Sequence, residues 1–503
     1  MSDQPQWNNS RRIRERIYIT GTLTLKTPAS FGNGDAEGLT DIPLLYDPFD
    51  SQRPLLTGAS IAGALRNYLR EHDKGFRWKE DRKKGPQSHA EKLFGHLDDS
   101  DPEKKATVHS WLIVDDALGT PPAQGARVEL RDGVAIAPKT RTVEQDEHGG
   151  KKFDYELLSA GTTFTLSFEF LCADEGDDLL PAFIIALQGL EEGKIGLGLR
   201  KRRGLGECIV SEWRVRHYKM ADADGVVGWL THNPKIEGEP KAKIAEWFTE
   251  LALDAPDARK TFTIDARFEL DGSLLIRSDS GTKNSPDFVH LRSWRDGTEI
   301  PILPGTSIAG ALRGRALRIA NTIHQANGHL LVDALFGTRI QSSKDKPSGS
   351  RVIVKEKPIK GIPTLVQSRV AIDRFTGGAF PQALFSEQPV WGDGAADAIA
   401  IHLTLQQAWD ANDDDDEFRA QVGLLLLLLK DLWTGDLPLG GESSVGRGRL
   451  KGARADITYK DKHWTILPEG KTGIQVEDAA GLEKFVETFR DWKPQTRGGN
   501  DDG

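Results

Sequence analysis

The chain has 503 residues, of which 28% are charged and 38% hydrophobic, with a formal net charge of −9. That length predicts two to four domains, each able to bury its own core, and the balance is that of a soluble globular chain rather than a disordered or membrane one. A net negative charge does not announce a nucleic-acid binder, but it averages over the surface and leaves room for a local basic groove.

The N-terminal "MSDQPQWNNSRRIRER" lacks the apolar segment of a secretory signal. The longest apolar run, the six leucines Leu424 to Leu429, falls short of the roughly 20 residues that span a bilayer. Cys172 and Cys208 stand in no CxxC or Cys/His spacing, which argues against a disulfide framework and a structural zinc site. A cytoplasmic location with no membrane partner is the expectation.

In chain order, the alternating run "IYITGTLTLKT" (17–27) predicts a strand or hairpin. A long loop follows, then a helix entered through "PLLTGASIAGALR" (54–66), whose start is marked by Gly58-Ala59-Ser60. "LFG" (93–95), "SWLIV" (110–114) and "VAI" (134–136) come next. A second helix, "LLPAFIIALQGL" (179–190), then runs into the turn "GLGLRKRRGLGE" (196–207) and a short strand.

The same order then recurs. "TFTIDARFELDGSLLI" (261–276) predicts strands, and "PILPGTSIAGALR" (301–313) matches 54–66 at ten of thirteen positions. "LFG" (335–337), "SRVIV" (350–354), "VAI" (370–372), the helix "EFRAQVGLLLLLLKDLW" (417–433) and the turn "GGESSVGRGRLKG" (440–452) complete it. An ordered set repeated at near-constant spacing is a tandem duplication. The units expected are 15–232 and 259–460, with a linker at 233–258 and an extension at 461–503 whose tail from Thr496 has the composition of a disordered segment. The acidic "DANDDDDEF" (410–418) reads as a solvated loop placing negative charge before a helix N-terminus. The element order suits an α+β, ferredoxin-like sheet in each unit, with helices on one face.

Two features carry chemistry. The Gly-x-Ser helix starts offer free N–H groups and the hydroxyls of Ser60 and Ser307, with Arg66 and Arg313 further along, an arrangement suited to phosphate. A plain N-cap followed by a surface arginine is the alternative. The turns place Arg200, Lys201, Arg202 and Arg203, and Arg447 and Arg449, among glycines. Glycine admits a phosphate close to the backbone and arginine supplies bidentate donors, as a nucleic-acid backbone requires. Ordinary surface turns share this composition. Nucleoside triphosphate hydrolysis is not indicated: Gly441 to Gly446 has the glycine spacing of a phosphate loop, but Arg447-Gly448 replace its Lys and hydroxyl, and the glycines follow a helix instead of preceding one.

The series "LLTGASIAGALR…LFG…LIVDDA…VAIAPKT…AGTTF…GLGLRKRRGLGE" and its second copy "ILPGTSIAGALR…LFG…VIV…VAIDRFTGGA…GGESSVGRGRL" resemble the RAMP superfamily. In particular they resemble the backbone subunits of type III CRISPR effector complexes, the Cas-seven family, and their fused type III-D variants. The resemblance implies two modified RNA-recognition folds, a guide RNA and a complementary target RNA as partners beside other effector subunits, and thumb hairpins near 131–158 and 367–390. It also implies a Mg²⁺-dependent endoribonuclease whose metal-binding, catalytic aspartate lies in the loop before the Gly-x-Ser helix. Asp41, followed by Ile42-Pro43-Leu44, is the match in the first unit. Asp287 is the match in the second, although there proline precedes the aspartate; Asp35, Asp47 and Asp279 compete. Such an aspartate could hold Mg²⁺ and help activate the 2′-hydroxyl, which confines the chemistry to RNA. A loop aspartate closing an Asx-turn is the bland alternative. Two other functions stay open: a non-catalytic structural backbone subunit, and a guide-processing ribonuclease using His72, His89 or His96 as general base.

Overall fold

The structure, a computed structural model, describes residues 13–32, 42–81, 83–97, 107–134, 136–137, 140, 142–146, 149–150, 152–173, 179–232, 236, 238–278, 285–338, 348–360, 363–412, 415–470 and 473–494. The chain divides into two compact units. The first holds residues up to 129, 156–199 and 206–259; the second holds 130–155, 200–205 and everything from 260.

The principal elements of the first repeat are β1 (Ile13–Leu25), α1 (Gly58–Lys74), α2 (His89–Phe94), β2 (Leu112–Val114), β3 (Ala117–Thr120), β4 (Val128–Val134), β5 (Lys152–Leu158), β6 (Thr163–Ala173), α3 (Leu179–Glu191) and β7 (Cys208–Lys219). Those of the second are β8 (Lys260–Asp271), α4 (Gly305–His324), α5 (Gly328–Phe336), β9 (Val352–Val354), β10 (Gln367–Ile372), β11 (Ala379–Gln388), β12 (Ile399–Gln407), α6 (Asp416–Trp433) and β13 (Arg449–Tyr459). A C-terminal addition supplies β14 (Lys462–Glu469), β15 (Gly473–Val476) and α7 (Ala479–Asp491).

Each repeat is built on an antiparallel sheet with the same strand order. In the first it runs β7-β1-β6-β2, and in the second β13-β8-β12-β9. The alternating pattern of β1 turns Ile17, Ile19, Leu23 and Leu25 into the core, because successive strand side chains face opposite ways. Ile61 and Leu65 of α1 and Leu187 and Leu190 of α3 close over them in one cluster. Phe262, Ile264 and Phe268 of β8 meet Ile308 and Leu312 of α4 and the leucines of α6 in the other. Both long strands and all four expected helices stand where the periodicity puts them, and the fold is the ferredoxin-like α+β arrangement.

The six-leucine run explains itself here. Helix α6 packs against β13, α4 and α7, so all its leucines from 424 to 429 are buried except the half-buried Leu427, the pattern of a helix covered on every side. Asp415 caps it, accepting from the N–H groups of Glu417 and Phe418, as the acidic stretch before it suggested. In the first unit, part of the segment read as a linker is packed: Lys241 exchanges backbone hydrogen bonds with Trp213, and Ile244 is fully buried. The tail from Thr496 lies outside the described residues. No helix among the described residues is long and apolar enough to cross a membrane.

Candidate functional site

The two glycine-rich turns are the same backbone made twice. In the first, Arg200 adopts a left-handed conformation (φ 54°, ψ 27°), a single 3-10 turn covers Lys201–Arg203, and Gly204 follows at φ 82°, ψ 10°. In the second, Glu442 (φ 58°, ψ 32°), Ser443–Val445 and Gly446 (φ 89°, ψ 7°) repeat it. The ends are pinned alike: Gly206 N–H donates to Pro28 O and Leu199 N–H to Ser30 O, as Gly448 N–H does to Ser273 O and Gly441 N–H to Leu275 O. Gly206 and Gly448 are needed both for positive φ and for room, since a Cβ on either would lie 1.8 Å from a leucine carbonyl, Leu197 or Leu439. The glycines that sequence reading assigned to phosphate approach therefore also have this structural duty.

The side chains on the turns differ. Arg200 stacks over Phe153 and Tyr155, 4.6 Å from each ring centre. Arg202 donates to the carbonyl of Ser350, and Arg203 to those of Phe336 (3.4 Å) and Val352 (3.5 Å). Burial, helped by Arg313, Arg202 and Arg200, pulls the Arg203 guanidinium down to about 10; it stays charged at neutral pH. Lys201 is exposed. On the second turn Arg447 is buried and directed at Glu387 (2.9 Å), Gln367 (3.1 Å) and Glu442 (3.1 Å). Arg369 meets both carboxylates at 3.1 Å, and Arg277 meets Glu442 at 2.8 Å. Burial and the adjacent Glu442 carboxyl raise Glu387 above the usual carboxylate range. Arg449 is exposed at the start of β13.

The repeated helix starts are capped differently. Thr57 caps α1, accepting from Ser60 N–H at 3.3 Å and sharing a 2.9 Å hydrogen bond with the exposed Ser60 hydroxyl. The Gly58 N–H donates to Asp116 at 2.7 Å. Helix α4 follows Pro304, and Ser307 is half-buried. Arg66 pairs with Glu80 (2.8 Å), and Arg313 with Asp333 (2.5 Å) and the Gly337 carbonyl (2.8 Å). The positions that match in sequence therefore have different partners.

Hairpins stand at both expected thumb positions. Strand β4 pairs with β5, and β10 with β11. Both carry apolar side chains into solvent: Leu130 and Val134 on the first; Val370, Ile372 and Leu384 on the second. At the tip of the second, Asp373 accepts from the Phe375 N–H and the Thr376 hydroxyl, and Phe375 is left 99% exposed. The hydrogen bond from the Phe375 N–H is the main reason the Asp373 carboxyl is held below its ordinary range. Sequence reading did not single out Phe375; the signal was an aromatic inside the turn sequence "DRFTGG".

Asp287 sits at the root of this second thumb. Its Oδ2 accepts from the Ser386 N–H (2.7 Å) and hydroxyl (3.0 Å), and its own N–H donates to Ser386 Oγ (3.1 Å). Phe288 and Val289 then run parallel to Glu387 and Gln388 of β11. The Ser386 hydrogen bonds, the backbone one foremost, lower the Asp287 carboxyl below its ordinary value, so it is ionised at neutral pH. Asp47 accepts from the Phe49 N–H, which closes an Asx-turn. Asp41, Asp35 and Asp279 lie outside the described residues, and no group of three His, Cys, Asp or Glu able to hold a metal occurs among the described residues. The three histidines are engaged elsewhere: His89 with Asp73 at 2.9 Å, His72 at 4.0 Å from that carboxylate, and buried His96 with buried Glu91 at 3.1 Å.

A family model described as the RAMP superfamily matches residues 22–209 and 267–451. Each region runs from the first long strand of a repeat through its glycine-rich turn. No curated protein matches the chain. With the sheet order, the turn and the thumb hairpin each present twice, and the family match covering most of both repeats, the chain belongs to the RAMP superfamily as a tandem of two of its domains.

Proposed function

We propose that the chain is a guide-RNA-binding backbone subunit of a type III CRISPR effector complex that cleaves complementary target RNA. The observation that carries this reading is the second thumb: a hairpin presenting Phe375 to solvent at its tip, with an ionised aspartate, Asp287, fixed at its root. An exposed aromatic is suited to stacking on an unpaired base, and single-stranded segments are where bases are available. An aspartate beside a distorted nucleotide can orient the RNA 2′-hydroxyl toward its own phosphate.

Asp287 fits a divalent cation held mainly by RNA and water. One carboxylate with phosphate oxygens and waters is an ordinary Mg²⁺ environment, and a bound cation would neutralise phosphate charge. In the first repeat Asp41 is proposed for the same role. The protein's own contribution is positional: Ser386 fixes the carboxylate, and the thumb fixes the nucleotide.

A second reading, a structural backbone subunit without cleavage, is favoured by one feature. Both Ser386 donors go to Asp287 Oδ2, which is also how an aspartate acts when it only ties a loop to a strand. The experiment is to express the chain with its neighbouring subunits, identify the copurifying RNA, and incubate the complex with complementary RNA and DNA, with Mg²⁺ or a chelator. RNA cut only with Mg²⁺, and DNA left intact, supports the nuclease. Retained guide with no cutting supports the structural subunit, and cutting that survives chelation supports a histidine-based enzyme.

A further inference from the structure

The C-terminal addition lies beyond residue 451, where the second family match ends. Together with the start of α6 it encloses a cavity of about 460 Å³ within the second unit. Strands β13 and β14 are joined by the two-residue turn of Lys460 and Asp461, with Tyr459 paired to Lys462 across it, and α7 supplies Gly481, Lys484 and Phe485 to the opposite wall. Every lining residue except Arg419 of α6 lies after residue 451. The first repeat has no equivalent hairpin, since β7 is followed by a helix at Ala223–Leu230.

The lining carries four cations, Arg419, Lys460, Lys462 and Lys484, against one carboxylate, Asp461. Like charges gathered around one concavity repel one another, and together they attract an anion into it. The three lysines are exposed and form the rim. Lys460 takes φ 55°, a left-handed conformation that glycine adopts at less cost, so the turn holds a lysine where its backbone favours none. The floor is aromatic and buried. Trp464 donates its Nε1–H to Asp478 at 3.4 Å, and the Arg419 guanidinium lies 5.4 Å from the centre of the Phe485 ring. Gly481 lets α7 approach the indole, because a Cβ there would lie 3.1 Å from Trp464 Nε1. A cationic rim over an aromatic floor fits a ligand with a phosphate at one end and a flat ring at the other.

We propose that this cavity binds a phosphorylated nucleotide, its phosphate among Arg419, Lys460, Lys462 and Lys484 and its base against the floor of Trp464 and Phe485. A terminal phosphate suits the site better than an internal one. A phosphomonoester carries a charge of about −1.5 to −2 at neutral pH, a phosphodiester only a single charge, and the lining has cations in excess. A free mononucleotide and the phosphorylated end of an RNA strand share this chemistry. The inference does not rest on the guide-RNA reading, which uses other residues, and protein freed of nucleic acid tests it.

The test titrates the full-length chain calorimetrically with AMP, adenosine and inorganic phosphate, and by fluorescence anisotropy with a short RNA labelled at its 3′ end that carries either a 5′-phosphate or a 5′-hydroxyl. AMP should bind at least about tenfold more tightly than adenosine, the effect of one charge-assisted hydrogen bond. It should bind at least about fivefold more tightly than inorganic phosphate, the effect of a base resting on an aromatic surface. Lys462→Glu and Lys484→Glu, both at exposed positions, should each weaken AMP binding at least about tenfold. Lys484→Arg should retain it, and Arg490→Glu, on the same helix but outside the cavity, should leave it unchanged. A preference of the RNA for its 5′-phosphate, lost in Lys484→Glu, assigns the site to a strand end, and AMP binding without that preference assigns it to a free nucleotide. Absence of both AMP binding and 5′-phosphate preference, or lysine variants that bind like wild type, would overturn the proposal. In that case a glutamate-rich peptide held by wild type and not by Lys484→Glu would make the cavity a docking site for an acidic protein segment.

Discussion

Asp287 and Ser386 hold each other through three hydrogen bonds across the root of the second thumb, two onto the carboxylate and one back from the Asp287 backbone. If that carboxylate acts on RNA, Asp287→Ala should remove one product band from a denaturing gel of end-labelled target and leave target binding intact, because an exposed carboxylate adds no affinity for a polyanion. Asp41→Ala should remove the other band. Ser386→Ala keeps the backbone hydrogen bond and should slow the Asp287 band without erasing it. If both bands survive Asp287→Ala and Asp41→Ala, the chain is a structural subunit.

Phe375 touches so little of its own protein that its removal separates RNA contact from stability. Phe375→Ala should leave the melting temperature unchanged. Base stacking on an aromatic contributes about 1–3 kcal/mol, so target RNA should bind roughly 5- to 150-fold more weakly in a filter-binding titration. Unaltered affinity would take the thumb tip out of the interface.

The first turn predicts different outcomes for two residues of one 3-10 turn. Lys201→Ala should reduce the slope of log affinity against log salt by about one, as the loss of one phosphate contact does. Arg203→Ala should destabilise the protein by about 1–3 kcal/mol, because the Phe336 carbonyl loses the Arg203 donor and the Val352 carbonyl keeps only the Ser350 hydroxyl of its two side-chain donors. Denaturant titrations beside salt titrations of guide binding distinguish the two.

His290 predicts an acid-sensitive core. It is 2% exposed, with Nε2 donating to the Ile302 carbonyl at 3.0 Å and Nδ1 accepting from Ile276 N–H at 3.3 Å. Burial pulls its pKa from 6.5 down to about 4. A depressed folded pKa means that the unfolded chain takes up the proton first. The stability His290 provides is complete above pH about 6.5 and falls away as the pH drops toward 4, by about 3 kcal/mol in all. His290→Gln should be less stable at neutral pH and should lose much of this slope, as read from urea midpoints at a series of pH values.

Sequence alone determined the duplication, the long strands, both helix pairs and the family, because each is written in local periodicity or in an ordered series of short motifs repeated in one chain; the hairpin positions followed only from the family resemblance. It could not say what each matched residue touches. Arg203 and Val445 occupy the same place on the same backbone, yet one is bonded to carbonyls beside β9 and the other faces solvent. Arg66 and Arg313 match perfectly in sequence and pair with unrelated acids. Glu387, in an unremarkable stretch, gathers Arg369 and Arg447 beneath the second turn. Those outcomes depend on residues 14 to 149 positions apart meeting in space, and hydrogen bonds and ion pairs act over a few ångströms, so only the tertiary structure could decide them.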